Sequence, residues 1–177
     1  MQHARRRTRS LGLGAPLPRT LALRVGVAVP GLGMHPDMEQ RNKAVASRFL
    51  EETDDRNREP AYAHLCTADY LEHDPAMPQE TVGLDEATQV YRQLFAAFRL
   101  RHTAESMVAE DSLVCARFTV RGRHIGEYQG FPPTGRTFEV SGQVTLRFQD
   151  TKIAEAWFNW DHQGALEQLG APPGPTQ

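Results

Sequence analysis

From Met38 to Glu52 the apolar residues Val45, Ala46, Phe49 and Leu50 fall on one face of a 3.6-residue period, with charges on the other positions. This spacing predicts a first helix. After a polar break over 53–58, Pro60 suits a first helical position and predicts a short second helix through Cys66. Tyr70-Leu71-Glu72-His73-Asp74-Pro75 reads as a short strand entering a loop, because Pro75 disfavours helix at Asp74 and Pro78 keeps the chain irregular. The clearest helix runs from Gly83 to Phe98, where Leu84, Ala87, Tyr91, Leu94, Phe95 and Phe98 recur at three- and four-residue intervals.

Past Leu100 the period changes to two. Strands are predicted over about Arg101–Ala109, Leu113–Arg121, Arg123–Gln129, Arg136–Gln149 and Lys152–Trp160, with turns at Glu110-Asp111, Gly122, Pro132-Pro133-Thr134-Gly135 and Asp150-Thr151. A last helix is expected from about His162 to Leu169. Helices followed by a meander imply an α+β domain with the helices on one face of a curved antiparallel sheet, not alternating β-α units. The glycines at 122, 126, 130 and 135 are spaced for turns, and no GxGxxG phosphate loop or internal repeat occurs.

Composition narrows the classes of partner. With 20 basic and 22 acidic residues the formal charge is -2, which supplies no positive field for a nucleic-acid backbone. The longest apolar candidate, 21–29, contains Arg24 and falls short of the roughly 20 residues that span a bilayer, so no membrane partner is expected. Cys66 and Cys115 sit in different elements without zinc-ligand spacing; no metal is expected, and a reducing cytoplasm fits. Residues 1–37 carry Arg5-Arg6-Arg7 and then a Gly/Pro-punctuated stretch, and are expected to be a disordered extension, with a targeting peptide or a translation start at Met34 or Met38 as alternatives. The folded domain is placed at 38–170 and a disordered tail at 171–177.

His73-Asp74, Gly122-Arg123-His124-Ile125-Gly126-Glu127, Gly130-Phe131-Pro132-Pro133-Thr134-Gly135-Arg136, Ile153-Ala154-Glu155-Ala156-Trp157 with Asp161, and Gln168-Leu169-Gly170 occur in this order. Together they make residues 38–170 resemble the SnoaL-like polyketide cyclase family. The resemblance implies the fold of nuclear transport factor 2-like proteins: an α+β cone, three N-terminal helices packed on a curved, mainly antiparallel sheet, and an enclosed apolar pocket. It also implies a cofactor-independent cyclase that closes a ring of a small hydrophobic, carbonyl-rich substrate by an intramolecular aldol step, with Asp161 as acid/base and no covalent intermediate. Relatives with other roles keep three alternatives open: epoxide hydrolysis, another small-molecule reaction on this fold, or a non-catalytic ligand-binding or dimerisation module.

The residues themselves give Asp161 two readings. If the last strand is regular, Glu155, Trp157, Asn159 and Asp161 share one side, and a carboxylate sheltered by aromatic surface is a candidate general base. Asp is equally a preferred N-cap for the helix that follows. Family cyclases carry a histidine on the preceding strand, whereas none occurs here between Arg136 and Trp160; His124 and His73 are the candidate substitutes. Trp157, Asn159 and Gln143 are candidate substrate contacts, depending on which strand face lines the pocket. Phe131, in the Pro-rich turn, and Tyr91, on the aromatic stripe of the third helix, are candidates near its opening as well as ordinary turn and core residues. Phe158 and Trp160, alternating with that set, are expected on an exposed face suited to homo-oligomer formation.

Overall fold

The computed structural model describes residues 36–52, 62–77 and 79–170. Apart from Pro36 and Asp37, which are helical, the expected disordered segments 1–37 and 171–177 lie outside the described residues. Helix α1 spans Pro36–Glu52, opening with Pro36 and with Asp37 and Glu39 in its first turn, where the N-terminal dipole favours negative charge. It buries Ala46, Phe49 and Leu50, as their spacing requires. Helix α2 is one turn, Tyr62–Leu65, and leads directly into strand β1, Cys66–His73. A short β2, Thr81–Gly83, pairs antiparallel with β1 and runs into α3, Leu84–Ala97. That helix stops where Phe98 turns extended at φ -134, ψ 151.

Four long strands follow: β3 (Phe98–Glu110), β4 (Leu113–His124), β5 (Thr137–Gln149) and β6 (Lys152–Trp160), with α4 (His162–Leu169) last. Left-handed residues make the two tight hairpins, Asp111 at φ 50 and Asp150 at φ 55, both of a residue type that tolerates this region. The six strands form one sheet in the order β2-β1-β6-β5-β4-β3. All pairs are antiparallel except β1 with β6, so the first strand closes the sheet beside the last. The α+β class and the mainly antiparallel sheet agree with the sequence reading.

Two expectations need correction. Gly122 is not a turn but lies inside β4, which takes in only Arg123 and His124 of the next predicted strand, while 125–129 form a loop with a single bridge between Tyr128 and Phe131; a Cβ at Gly122 would collide with the Phe138 ring, so glycine makes room for a neighbour. Phe158 and Trp160 are not on an exposed face. Phe158 is buried and Trp160 is half-buried against the core. Among the described residues no helix is long and apolar enough to cross a membrane.

Candidate active site

The sheet presents one face to the helices, and strand parity decides which side chains enter it. On β5 the buried positions are Phe138, Val140, Gly142, Val144, Leu146 and Phe148; on β6 Phe158 and half-buried Trp160 share that side. On β1, Tyr70 and Glu72 point inward, and Asp74 continues the alternation just beyond the strand. Between this face, α3 and α4 lies a cavity walled by Tyr91, Phe118, Phe138 and Phe158, with Glu72, Asp74, His102, Trp160 and His162 as its polar lining.

Asp74 is the best-organised of these groups. Pro75 ends the strand, and Asp74 is 7 % exposed. Its Oδ2 accepts from the indole Nε1 of Trp160 at 3.1 Å, and its Oδ1 accepts from the backbone N–H of Ala76 at 2.9 Å. Burial raises its pKa from the ordinary carboxylate value, opposed by those two hydrogen bonds and by His162. His162 stands at the first position of α4, its Nε2 3.2 Å from the hydroxyl of Tyr128 and its ring edge-on to Trp160 at 5.0 Å. Burial lowers its pKa, opposed by Asp74. Burial likewise pushes the Tyr128 phenol up to about 12.

The inner cavity is narrow, about 60 Å³. Met77, Val90, Leu94 and Tyr128 are shared with a wider vestibule of about 490 Å³, whose remaining polar lining is glutamine and glutamate: Gln79, Glu86, Gln89, Gln93, Glu127 and Gln129. The vestibule falls within the roughly 300–1,000 Å³ that small-molecule sites occupy. Among the described residues no lysine or arginine lines either space.

Of the candidate catalytic and substrate-contact residues named from the sequence, Tyr91 alone lines the cavity. Asp161 is exposed and acts as N-cap of α4, its Oδ1 accepting from the Gly164 N–H at 2.8 Å; a Cβ at Gly164 would collide with that carboxylate. Gln143, Asn159 and Asp161 lie together in a shallow outer depression with Arg117. Trp157 and His73 are also on the outer face, stacked at 5.5 Å and 8°. There His73 Nε2 is 2.9 Å from Glu155 Oε1, and Arg147 donates to Glu155 Oε2 at 2.8 and 3.0 Å. The shared side of Glu155, Trp157, Asn159 and Asp161 is real, but it is the side away from the cavity.

His124 does point inward on β4, yet it is packed between Phe98 and Phe131, stacked on each at 5.0 and 5.5 Å, and its Nδ1 meets Thr134. It is not part of the cavity lining, and neither is Phe131. Sequence reasoning passed over Glu72, Asp74, Trp160, Tyr128, His102 and His162. For the first two the signal was present, since Tyr70, Glu72 and Asp74 alternate along one short strand. Two carboxyl groups, Glu72 and Asp74, thus line the cavity.

The fold is that of the ketosteroid isomerase-like and nuclear transport factor 2-like proteins. A solved structure of ketosteroid isomerase-like fold from Catenulispora acidiphila superimposes with a TM-score of 0.62 at 17% identity, covering 72% of this chain and 93% of its own. The family model of SnoaL-like polyketide cyclases matches residues 44–169, and the chain belongs to that family. It is similar to nogalonic acid methyl ester cyclase of Streptomyces nogalater, 32% identical over 96 residues that make up 51% of this chain and 72% of the relative. It is also similar to aklanonic acid methyl ester cyclase AcmA of Streptomyces galilaeus, 44% identical over 59 residues. That second match spans 33% of this chain and only 41% of the relative.

Proposed function

We propose that the protein closes a ring in an uncharged, carbonyl-rich polyketide ester by an intramolecular aldol step, with Asp74 as the general base. The observation that carries this reading is the Asp74 carboxylate, buried at the polar end of an aromatic cavity and oriented by the Trp160 indole. A carbon acid flanked by carbonyls loses its proton to Asp74, whose raised pKa makes it a stronger base than an exposed aspartate. The aromatic walls fold the substrate so that the enolate carbon meets a carbonyl carbon of the same molecule, which is the main contribution an apolar pocket makes to a ring closure. Asp161 serves a different end here: by capping α4 it positions His162 at the cavity wall.

The names of the similar enzymes suggest the test compound. Incubated with aklanonic acid methyl ester, the protein is expected to yield an isomer of unchanged mass with one ring more, followed by chromatography and mass spectrometry. A protein that binds the ester but leaves it open would favour the ligand-binding alternative. An epoxide-opening reaction with water finds less support, since among the described residues no arginine lines the cavity to steady a developing oxyanion.

A further inference from the structure

Glu72 faces the same cavity as Asp74 but has no part in the chemistry above. The two residues are two apart on one strand and its extension, so their side chains enter from one side. Glu72 is 3 % exposed. Tyr62 and Tyr70 both donate to its Oε2, at 2.8 and 2.7 Å, which fixes the carboxyl and leaves Oε1 outside that pair of bonds. The titratable groups acting on it are the phenols of Tyr62, Tyr70 and Tyr91, the Cys66 thiol, Asp74, and His73 from the outer face.

Burial favours the protonated form of Glu72, the two phenol hydrogen bonds oppose it, and the charge of Asp74 adds to it, bringing its pKa to about 7. Near neutral pH the cavity therefore holds, in Glu72, a carboxyl that can give a proton, on the same side of the strand as the Asp74 group read as the base.

We propose that Glu72 is the general acid of the ring closure, an inference that rests on the reading of Asp74 as its base. Asp74 takes the C–H proton, and the electron pair left on that carbon forms the new C–C bond to the carbonyl carbon. The carbonyl π pair moves onto oxygen, and that oxygen takes the proton of Glu72. Substrate and product are isomers. Glu72 ends ionised and Asp74 protonated, and one proton returned from Asp74 to Glu72 through water restores the pair.

Deuterium exchange separates the two roles. Aklanonic acid methyl ester is incubated with the full chain in heavy water, and recovered ester and closed isomer are both read by mass spectrometry. Glu72→Gln is expected to keep exchange into the open ester within about threefold of wild type while closure falls roughly 100-fold or more. Asp74→Asn is expected to lose both. Glutamine keeps an acceptor for Tyr62 and Tyr70, and circular dichroism checks the fold. Closure at the wild-type rate in Glu72→Gln overturns the proposal, as does loss of exchange together with closure. Exchange persisting in Asp74→Asn instead removes the base on which it rests. A second measurement needs no substrate: the infrared band of a protonated carboxyl, absent from Glu72→Gln, should be present at about pH 6 and fade through about pH 7. In Tyr70→Phe, which loses one hydrogen bond to the anion, it should fade at higher pH. A Glu72 already fully ionised at about pH 5 overturns the proposal whatever the substrate.

Discussion

The indole Nε1 of Trp160 donates to Oδ2 of Asp74 across 3.1 Å, joining residues 86 positions apart in the sequence. The contact exists because β1 lies parallel to β6, with His73 opposite Trp157, which brings the end of the first strand beside the end of the last. Together with the Ala76 N–H on Oδ1 it orients the buried carboxylate. Trp160→Phe keeps the aromatic surface and removes the donor.

That substitution should cost roughly 1–3 kcal/mol of stability, the usual range for leaving a buried acceptor short of a partner. Because the indole bond lowers the Asp74 pKa against burial, its loss should raise that pKa further. A base must be ionised to act, so the rising limb of the pH–rate profile should move to higher pH. A profile identical to wild type would show that this bond does not set the acidity of the working group.

Asp161 and Gly164 form one capping unit, and their variants should behave as such. Asp161→Ala should lower the stability of the fold by about 1 kcal/mol in urea denaturation, whereas Asp161→Asn, also a good N-cap, should lose far less. Gly164→Ala should be worse than its half-buried setting suggests, since the added methyl meets the Asp161 carboxylate. Equal stability for all three would remove the capping role.

Glu72 should make stability depend on pH. Its pKa is raised from 4.5 to about 7 by burial, so ionising it disfavours the folded state. The folded chain is unburdened below about pH 4.5 and loses stability as pH rises through about 7, by roughly 3 kcal/mol for this one group. Urea midpoints measured from about pH 4 to pH 8 should fall for wild type relative to Glu72→Gln over that window. Parallel curves for the two proteins would mean the carboxyl keeps an ordinary pKa.

The helical stripes of α1 and α3 and the period-two runs of β3 to β6 were legible because each buries one face, and burial imposes a period. Which face was not legible. Gln143, Asn159 and Asp161 share a side by parity, and Gly142, Phe158 and Trp160 share the other, but alternation has no sign until the helices cover one side. Tryptophan occurs on both, Trp157 outside against His73 and Trp160 inside against Asp74, so aromatic content pointed to the wrong side. The parallel pairing of β1 with β6 was equally hidden, since it joins distant segments through tertiary closure alone. Of the His73-Asp74 motif, the sequence reading took up the histidine, which lies on the outer face. The motif's inward member is the aspartate.

The most direct test of the account compares Asp74→Asn with Asp161→Asn in the closure of aklanonic acid methyl ester. Asparagine keeps one acceptor oxygen at each position, so Asp161→Asn removes a charge and keeps the helix cap, while Asp74→Asn removes the charge and one of the two hydrogen bonds that the carboxylate accepts from the Trp160 indole and the Ala76 N–H. The account predicts that kcat falls about 100-fold or more in Asp74→Asn and stays within roughly threefold of wild type in Asp161→Asn. The reverse order, with Asp161→Asn inactive and Asp74→Asn near wild type, would contradict it.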